Sequence, residues 1–215
     1  MNPVNLPIFM GLSEEEFEDM KASRLMSRKK FGRGDVILHM GETTEKLGIL
    51  TAGHVHIESV DLWGNKTILS DVGPGQVFGE TYALTGDMLM VDAVAASDAE
   101  VLFLNAKKLM SGSFRTRPWF PKMLRNLLML SSRKNLVLSN RIFHTSPKRV
   151  RSRLQSYLSY CALKAGSQEF EIPFDRQQLA DYLNLDRTAL SKELGRMKKE
   201  GLLDFRKNHF RILED

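Results

Sequence analysis

From Phe31 to Leu104 the chain is a succession of short, β-branched apolar segments cut by glycine. VILHM, LGILTAG, HVHIESV, KTILSDV, QVFGE and AEVLFL each read as a strand. Gly32, Gly34, Gly41, Gly53, Gly64, Gly73, Gly75 and Gly79 punctuate them. Gly64-Asn65 lies between two of these segments and predicts a hairpin turn. Many short strands with closely spaced turns predict a small β barrel or roll. The glycines recur about every eleven residues, without the extent of a long repeat array.

The flanks have a different period. Residues 13–25 are predicted helical: Ser13 is a cap, Glu16 completes a capping box, and Phe17, Met20 and Leu25 fall roughly on one face. A long helix is predicted from Arg117 to Phe143, with Pro118 and Pro121 in its first turn, where a missing N–H costs little. No single apolar seam accounts for it. Phe120, Leu124, Leu127 and Leu138 follow one frame, and Met123, Leu127, Leu130 and Val137 follow another. A helix apolar on more than one face packs on its own domain and on something else. A second copy of the chain, meeting at Leu124, Leu127 and Leu138, is one reading; burial within one chain is the other. His144-Thr145-Ser146-Pro147 is expected to break the helix and act as a hinge. Val150, Leu154, Tyr157, Leu158 and Cys161 resume helical spacing, which Gly166-Ser167 ends.

Composition sets further bounds. With 42% apolar residues in 215, a true core is expected. The single cysteine, Cys161, excludes an intramolecular disulfide and any multi-cysteine zinc or iron–sulfur site within one chain. The N-terminus lacks the basic start and apolar run of a signal peptide, and no stretch approaches the ~20 apolar residues of a membrane span. A soluble cytoplasmic protein without membrane contact is expected. The net charge of +5 conceals an asymmetry. Residues 1–110 hold 10 Lys+Arg against 16 Asp+Glu, and residues 111–215 hold 21 against 10. A polyanion would meet only the C-terminal half.

In that half, FDRQQLADYLNLDRTALSKELGRMKKEGLL reads as a helix-turn-helix. Asp175 and Gln178 form a capping box, and Leu179, Tyr182 and Leu183 make the first helix's apolar stripe. Ala180 is small where two helices cross. Asn184 occupies the turn, where a left-handed residue is needed, and Leu185 plugs it. Asp186 caps a second helix that ends at Gly201. There Ala189, Leu190, Leu194 and Met197 face inward, leaving Arg187, Thr188, Ser191, Lys192 and Gly195 outward. Arg can bond guanine bidentately, Lys donates to guanine or phosphate, and Thr and Ser suit several base edges, so this face fits a DNA major groove. Arg176 and Gln177 open the preceding helix, a favourable place for a phosphate. Residues 202–205 and 209–213 alternate around Arg206-Lys207-Asn208 and predict a terminal hairpin, hence a wing, with Lys207 and Arg206 available to the DNA backbone.

This order of elements resembles the CRP/FNR superfamily of bacterial regulators over nearly the whole chain. FGRGDVILHMGETTEKLGILTAGHVHI and DLWGNKTILSDVGPGQVFGETYAL are similar to its cyclic-nucleotide-binding-like part, with Gly41, Gly53, Gly64, Gly75 and Gly79 where that fold places glycine. RQQLADYLNLDRTALSKEL is similar to its DNA-binding signature, with Arg187 and Lys192 at base-reading positions. The resemblance implies an α+β chain: an N-terminal double-stranded β-helix or jelly roll over 1–116, a long dimerisation helix over 117–144 and a winged helix-turn-helix over 145–215. It further implies a homodimer on palindromic double-stranded DNA, controlled by a small-molecule effector, with RNA polymerase as a further partner where the protein activates.

The effector is approached by exclusion. Cyclic-nucleotide binders of this type follow a Gly-Glu pair by an Arg-Ser or Arg-Thr about ten residues on. Gly79-Glu80 is present, but the arginine position falls near Leu89, beside Met90, and no Arg or Lys lies between Lys66 and Lys107. A cyclic phosphate would lack a cationic partner, which argues against cyclic AMP and cyclic GMP. The oxygen-sensing branch uses several N-terminal cysteines for an iron–sulfur cluster, and none precedes Cys161. Haem needs an axial ligand; His39, His54 and His56 read better as ordinary strand residues. Gly79, Glu80, Thr81, Tyr82, Leu89 and Met90, beside Leu84 and Met88, either line a pocket for a small apolar effector or fill core. Lys134 and Asn135 fall where relatives contact an effector from the long helix, or they are simply solvated.

A ligand-binding or protein-interaction module with a vestigial helix-turn-helix is the competing reading. No nucleophile–base arrangement, metal-ligand spacing or phosphate-binding loop supports an enzyme.

Overall fold

The computed structural model describes residues 3–61, 63 and 66–213. The chain divides into two compact units, Met1–Ser131 and Ser132–Asp215.

In the first unit, helix α1 (Glu14–Ala22) starts at the predicted cap. Ser13 Oγ accepts from the Glu16 N–H at 3.2 Å, and Glu16 Oε2 accepts from the Ser13 N–H at 2.8 Å. Eight strands follow: β1 (Met26–Phe31), β2 (Val36–Leu38), β3 (Lys46–Ala52), β4 (Val55–Val60), β5 (Lys66–Val72), β6 (Val77–Phe78), β7 (Asp92–Ala95) and β8 (Ala99–Asn105). Short helices α2 (Glu80–Thr85) and α3 (Ala106–Met110) are interspersed. The strands form two four-stranded sheets, ordered β1-β8-β3-β6 and β2-β7-β4-β5, with every pairing antiparallel. This is the expected roll.

One core, with Leu50, Val55, Val72, Phe78, Ala93 and Val101, lies inside the roll. A second joins Leu47, Ile49 and Leu104 to Phe17 and Met20 of α1 and to Trp119 and Met123. Gly48 is required by the first: a Cβ there would stand 2.3 Å from Phe78 Cζ. Strands β1 and β7 escape the sequence reading. MSRKKF carries a run of exposed cations instead of an alternation, and its pairing with β8 is what makes it a strand. The predicted Gly64-Asn65 turn lies outside the described residues, although β4 and β5 do pair antiparallel on either side of it.

Helix α4 (Trp119–Thr145) crosses the division between the units. It begins two residues later than predicted and extends two residues into the expected break, ending at Thr145. Thr145 Oγ1 donates to the Arg141 carbonyl at 2.8 Å, and Ser146 donates to the Ile142 carbonyl from its N–H at 2.8 Å and its hydroxyl at 2.6 Å. These side chains bond back onto the last turn and prolong it, so the break narrows to the residues around Pro147. Leu127, expected at an interface with a second chain, is only 5% exposed and belongs to the core shared with Trp119 and Met123. Its own unit therefore uses that side chain.

The second unit contains the end of α4, then α5 (Val150–Ala165), β9 (Glu169–Glu171), α6 (Arg176–Leu183), α7 (Arg187–Lys199), β10 (Leu203–Arg206) and β11 (His209–Ile212). The hairpin β10–β11 is extended by β9 into a three-stranded antiparallel sheet. Strand β9 is three residues long, too short for its alternation to register in the sequence. Its Phe170 stacks on Phe210 at 6.3 Å between centroids. Leu154, Leu158, Leu179, Leu183, Leu190, Leu194 and Met197 close the core of the three helices. Among the described residues no helix is long and apolar enough to cross a membrane.

Candidate nucleic-acid interface

The helix-turn-helix forms from local chemistry. Asp175 Oδ1 accepts from the Gln178 N–H at 2.8 Å, and Gln178 Oε1 accepts from the Asp175 N–H at 2.9 Å, which starts α6. Asn184 stands at φ 53 and ψ 54, the left-handed conformation that ends α6. Ala180 is fully buried, which lets the two helices approach. Asp186 Oδ1 accepts from the Ala189 N–H at 2.8 Å and starts α7.

Leu190, Leu194 and Met197 then bury one face of α7, and Arg187, Thr188, Ser191 and Lys192 are exposed on the other. None of these four side chains enters a hydrogen bond or ion pair among the described residues. Two further cations of α7 are engaged: Arg196 lies 3.4 Å from Glu193, and Lys198 pairs with Asp204. The helix thus leaves open the donors on its N-terminal half, the part that enters a major groove.

Two arginines of α5, unforeseen from the sequence, hold this arrangement. The Arg151 guanidinium meets Glu200 at 2.7 and 2.9 Å and Glu193 at 2.6 Å. Those carboxylates, Glu200 foremost, raise its basicity further. Arg153 donates to the carbonyls of Pro147 at 2.7 Å, Leu183 at 3.1 Å and Asn184 at 2.8 Å, joining the segment between α4 and α5 to the turn between α6 and α7. The seven-residue spacing of Glu193 and Glu200 on one face of α7 is the only sequence trace of the first clamp.

At the wing tip Lys207 is exposed and adopts φ 55. Arg176, expected to be free for phosphate, is half-buried. Its guanidinium lies 5.0 Å from the Phe205 ring and 5.8 Å from Phe210, and it donates to the Lys207 carbonyl at 3.2 Å. Burial lowers its basicity. The side chain therefore braces the wing against α6. Gln177 is exposed and donates to Asp181 Oδ1 at 2.9 Å.

In the roll, Gly79, Glu80, Thr81 and Tyr82 lie at the start of α2, and Leu89 and Met90 follow it. Gly79 caps α2 at φ 71, and a Cβ there would meet Leu38 Cδ1 at 2.8 Å, so its role is explained by packing. Glu80 and Leu89 are buried, Tyr82 is half-buried, and Thr81, Met88 and Met90 are exposed. Leu89 is pinned by its N–H donating to the Glu42 carbonyl at 2.8 Å and its carbonyl accepting from the Gly41 N–H at 2.8 Å. Lys134 and Asn135 are exposed on α4 within the second unit. Of the strand histidines, His54 lies 3.0 Å from Asp71, and His56 lies 3.5 Å from Asp71 and 3.9 Å from Glu58.

Helix α4 bears a run of exposed apolar residues. Leu128 with Met129, Leu136, and Ile142 with Phe143 recur at seven-residue intervals, with Leu138 beside them at 60% exposure. Leu124 is half-buried.

Comparison with known proteins agrees with this division. Residues 28–112 match a cyclic nucleotide-binding domain, and residues 152–214 match a Crp-like helix-turn-helix domain. A cyclic AMP receptor protein from Thermus thermophilus is 26% identical over 92% of this chain and 88% of its own. The crystal structure of the catabolite activator protein of Thermus thermophilus superimposes with TM-score 0.53 at 25% identity, covering 96% of this chain and 93% of that one. The c-di-GMP-responsive regulator CLP of Xanthomonas campestris has the same fold, with TM-score 0.56 at 18% identity over 94% of this chain and 100% of that one.

Proposed function

Because the chain belongs to the CRP/FNR superfamily of transcription regulators, and not to a family of enzymes, we propose that it acts as a homodimer reading a palindromic promoter site. The observation that carries the reading is the unengaged polar face of α7. Arg187 and Lys192 supply donors for guanine or phosphate, and Thr188 and Ser191 adapt to neighbouring base edges. Gln177 and Lys207 add backbone contacts, which fix register without carrying sequence information. Arg176 contributes by holding the wing in place.

The seven-residue recurrence of exposed apolar residues on α4 supports dimerisation along that helix. In this reading residues 117–144 are the dimerising element between an effector-binding roll over 1–116 and a DNA-binding part over 145–215. Half-sites then lie roughly one helical turn apart.

Control by a small molecule in the roll is part of the proposal, but a cyclic nucleotide is not. Between Lys66 and Lys107 the chain offers no Arg or Lys for a cyclic phosphate, whatever the Thermus relative binds. The pliable side chains of Met88, Met90 and Leu84 suit an apolar effector.

The test is selection of duplexes from random DNA, followed by titration of the selected palindrome at several salt concentrations. A steep fall of affinity with salt and a retained preference over scrambled sequence are expected. Binding without sequence preference would favour a ligand-binding module instead.

A further inference from the structure

The last turn of α4 contains a group that DNA reading does not use. His144 is 1% exposed, the most deeply buried ionisable side chain among the described residues. Its ring centroid lies 5.0 Å from Tyr160, 5.6 Å from Tyr157 and 6.2 Å from Tyr182, with Phe143 at 5.9 Å. Nδ1 is 3.2 Å from Ser156 Oγ, and Nε2 finds no hydrogen-bond partner among the described residues.

The surroundings of this ring are those of the joint between α4 and the helix-turn-helix. Asn140 donates to Tyr160 Oη at 3.3 Å. Arg141 donates to the Asp181 carbonyl at 3.4 Å and lies 6.0 Å from the Tyr182 ring. Arg153 ties Pro147 to Leu183 and Asn184. Every one of these contacts ends on α5, on the C-terminal turn of α6, or on the turn that launches α7.

We propose that His144 is a positioning residue for DNA binding, a neutral imidazole that locks the end of α4 onto α5 and α6 and releases it on protonation. This rests on the reading of α7 as a recognition helix. A second ring proton on buried His144 would have to sit among aromatic faces without an acceptor.

The groups around the imidazole do not welcome the charge. On α4 itself Arg141, three residues before His144, is a cation that lies over the Tyr182 ring. From α5 come the Ser156 hydroxyl and the rings of Tyr157 and Tyr160, all neutral. From α6 come Tyr182 and Asp181, whose carboxylate is taken by Gln177. Burial holds Tyr157, Tyr182 and Cys161 in their neutral forms and pushes His144 below the ordinary imidazole range. The locked state is thus complete above pH ~6.5 and is lost as pH falls below it, by up to tenfold per pH unit for one proton.

The experiment compares the full-length protein with His144→Phe, which fills the same aromatic site and cannot titrate. Affinity for the selected palindrome is followed from about pH 8 to about pH 5, the span over which histidine changes charge, while the ring resonances of His144 and the Tyr182 signals are followed by NMR without DNA. We expect a fall in wild-type affinity at acid pH that His144→Phe lacks, with His144 titrating below the ordinary imidazole range and moving together with Tyr182. The same acid dependence in both proteins, or a His144 that titrates like an exposed histidine with Tyr182 unmoved, overturns the proposal. If no duplex is selected the recognition-helix reading fails, and the NMR titration still decides the state of the joint.

Discussion

The Arg151 guanidinium grips Glu200 through two hydrogen bonds, Nη1 to Oε2 at 2.7 Å and Nη2 to Oε1 at 2.9 Å, while its Nε reaches Glu193 at 2.6 Å. One α5 side chain thereby holds both the middle of α7 and its C-cap residue. Replacing Arg151 by Gln is expected to lower the melting temperature of the second unit and to weaken every DNA sequence alike. A variant that melts as the wild type does would show that the apolar core alone sets the position of α7.

The same clamp has a pH signature. Hydrogen bonding to Arg151 holds the Glu200 carboxyl below its ordinary value of 4.5. A carboxyl depressed in the folded state contributes stability above its unfolded value and loses it as pH falls through the folded one. Acid denaturation of Glu200→Gln should accordingly be less steep below pH ~4.5 than that of the wild type. Identical acid limbs in circular dichroism would count against this.

Asn184 is left-handed, at φ 53. Asn184→Ala should destabilise by about 1–2 kcal/mol, because a Cβ without a local hydrogen-bonding group is disfavoured there. Asn184→Gly should be tolerated. Urea unfolding of the pair provides the measurement, and an Ala variant as stable as the Gly variant would contradict the strain argument.

Recognition and backbone contacts have distinguishable signatures. Arg187→Ala should cost about 1–3 kcal/mol at one base pair per half-site and relax preference there. Lys207→Ala should weaken all sequences and reduce the salt slope by about one. Titrations against single-substituted palindromes at several salt concentrations separate the two; unchanged discrimination in Arg187→Ala would remove that side chain from the groove.

The long helix offers a paired test. Leu136→Glu with Leu138→Glu, both exposed, should produce monomers in sedimentation while leaving the fold intact. Leu127→Ala should instead cost about 2–5 kcal/mol of stability by opening a cavity, with no change in assembly. A double variant that stays dimeric would sink the α4 interface.

Much of this molecule is written locally. The capping boxes at Ser13–Glu16 and Asp175–Gln178, the left-handed Asn184, the Asp186 cap and the inward stripe of α7 depend on residues within a few positions of one another, so the sequence alone determines them. The glycine-punctuated strands and the outward set of Arg187, Thr188, Ser191 and Lys192 have the same origin: period and turn chemistry are properties of a short window. What only the tertiary structure decided involves partners far apart in the chain. Strand β1 exists because β8 pairs with it, and Leu127 is core because the roll folds beneath it. Arg176 became a brace for the wing because Phe205 and Phe210 return to its side. The Arg151 clamp likewise spans 49 positions to Glu200, and a single sequence carries no record of which distant carboxylate or ring a long cation will meet.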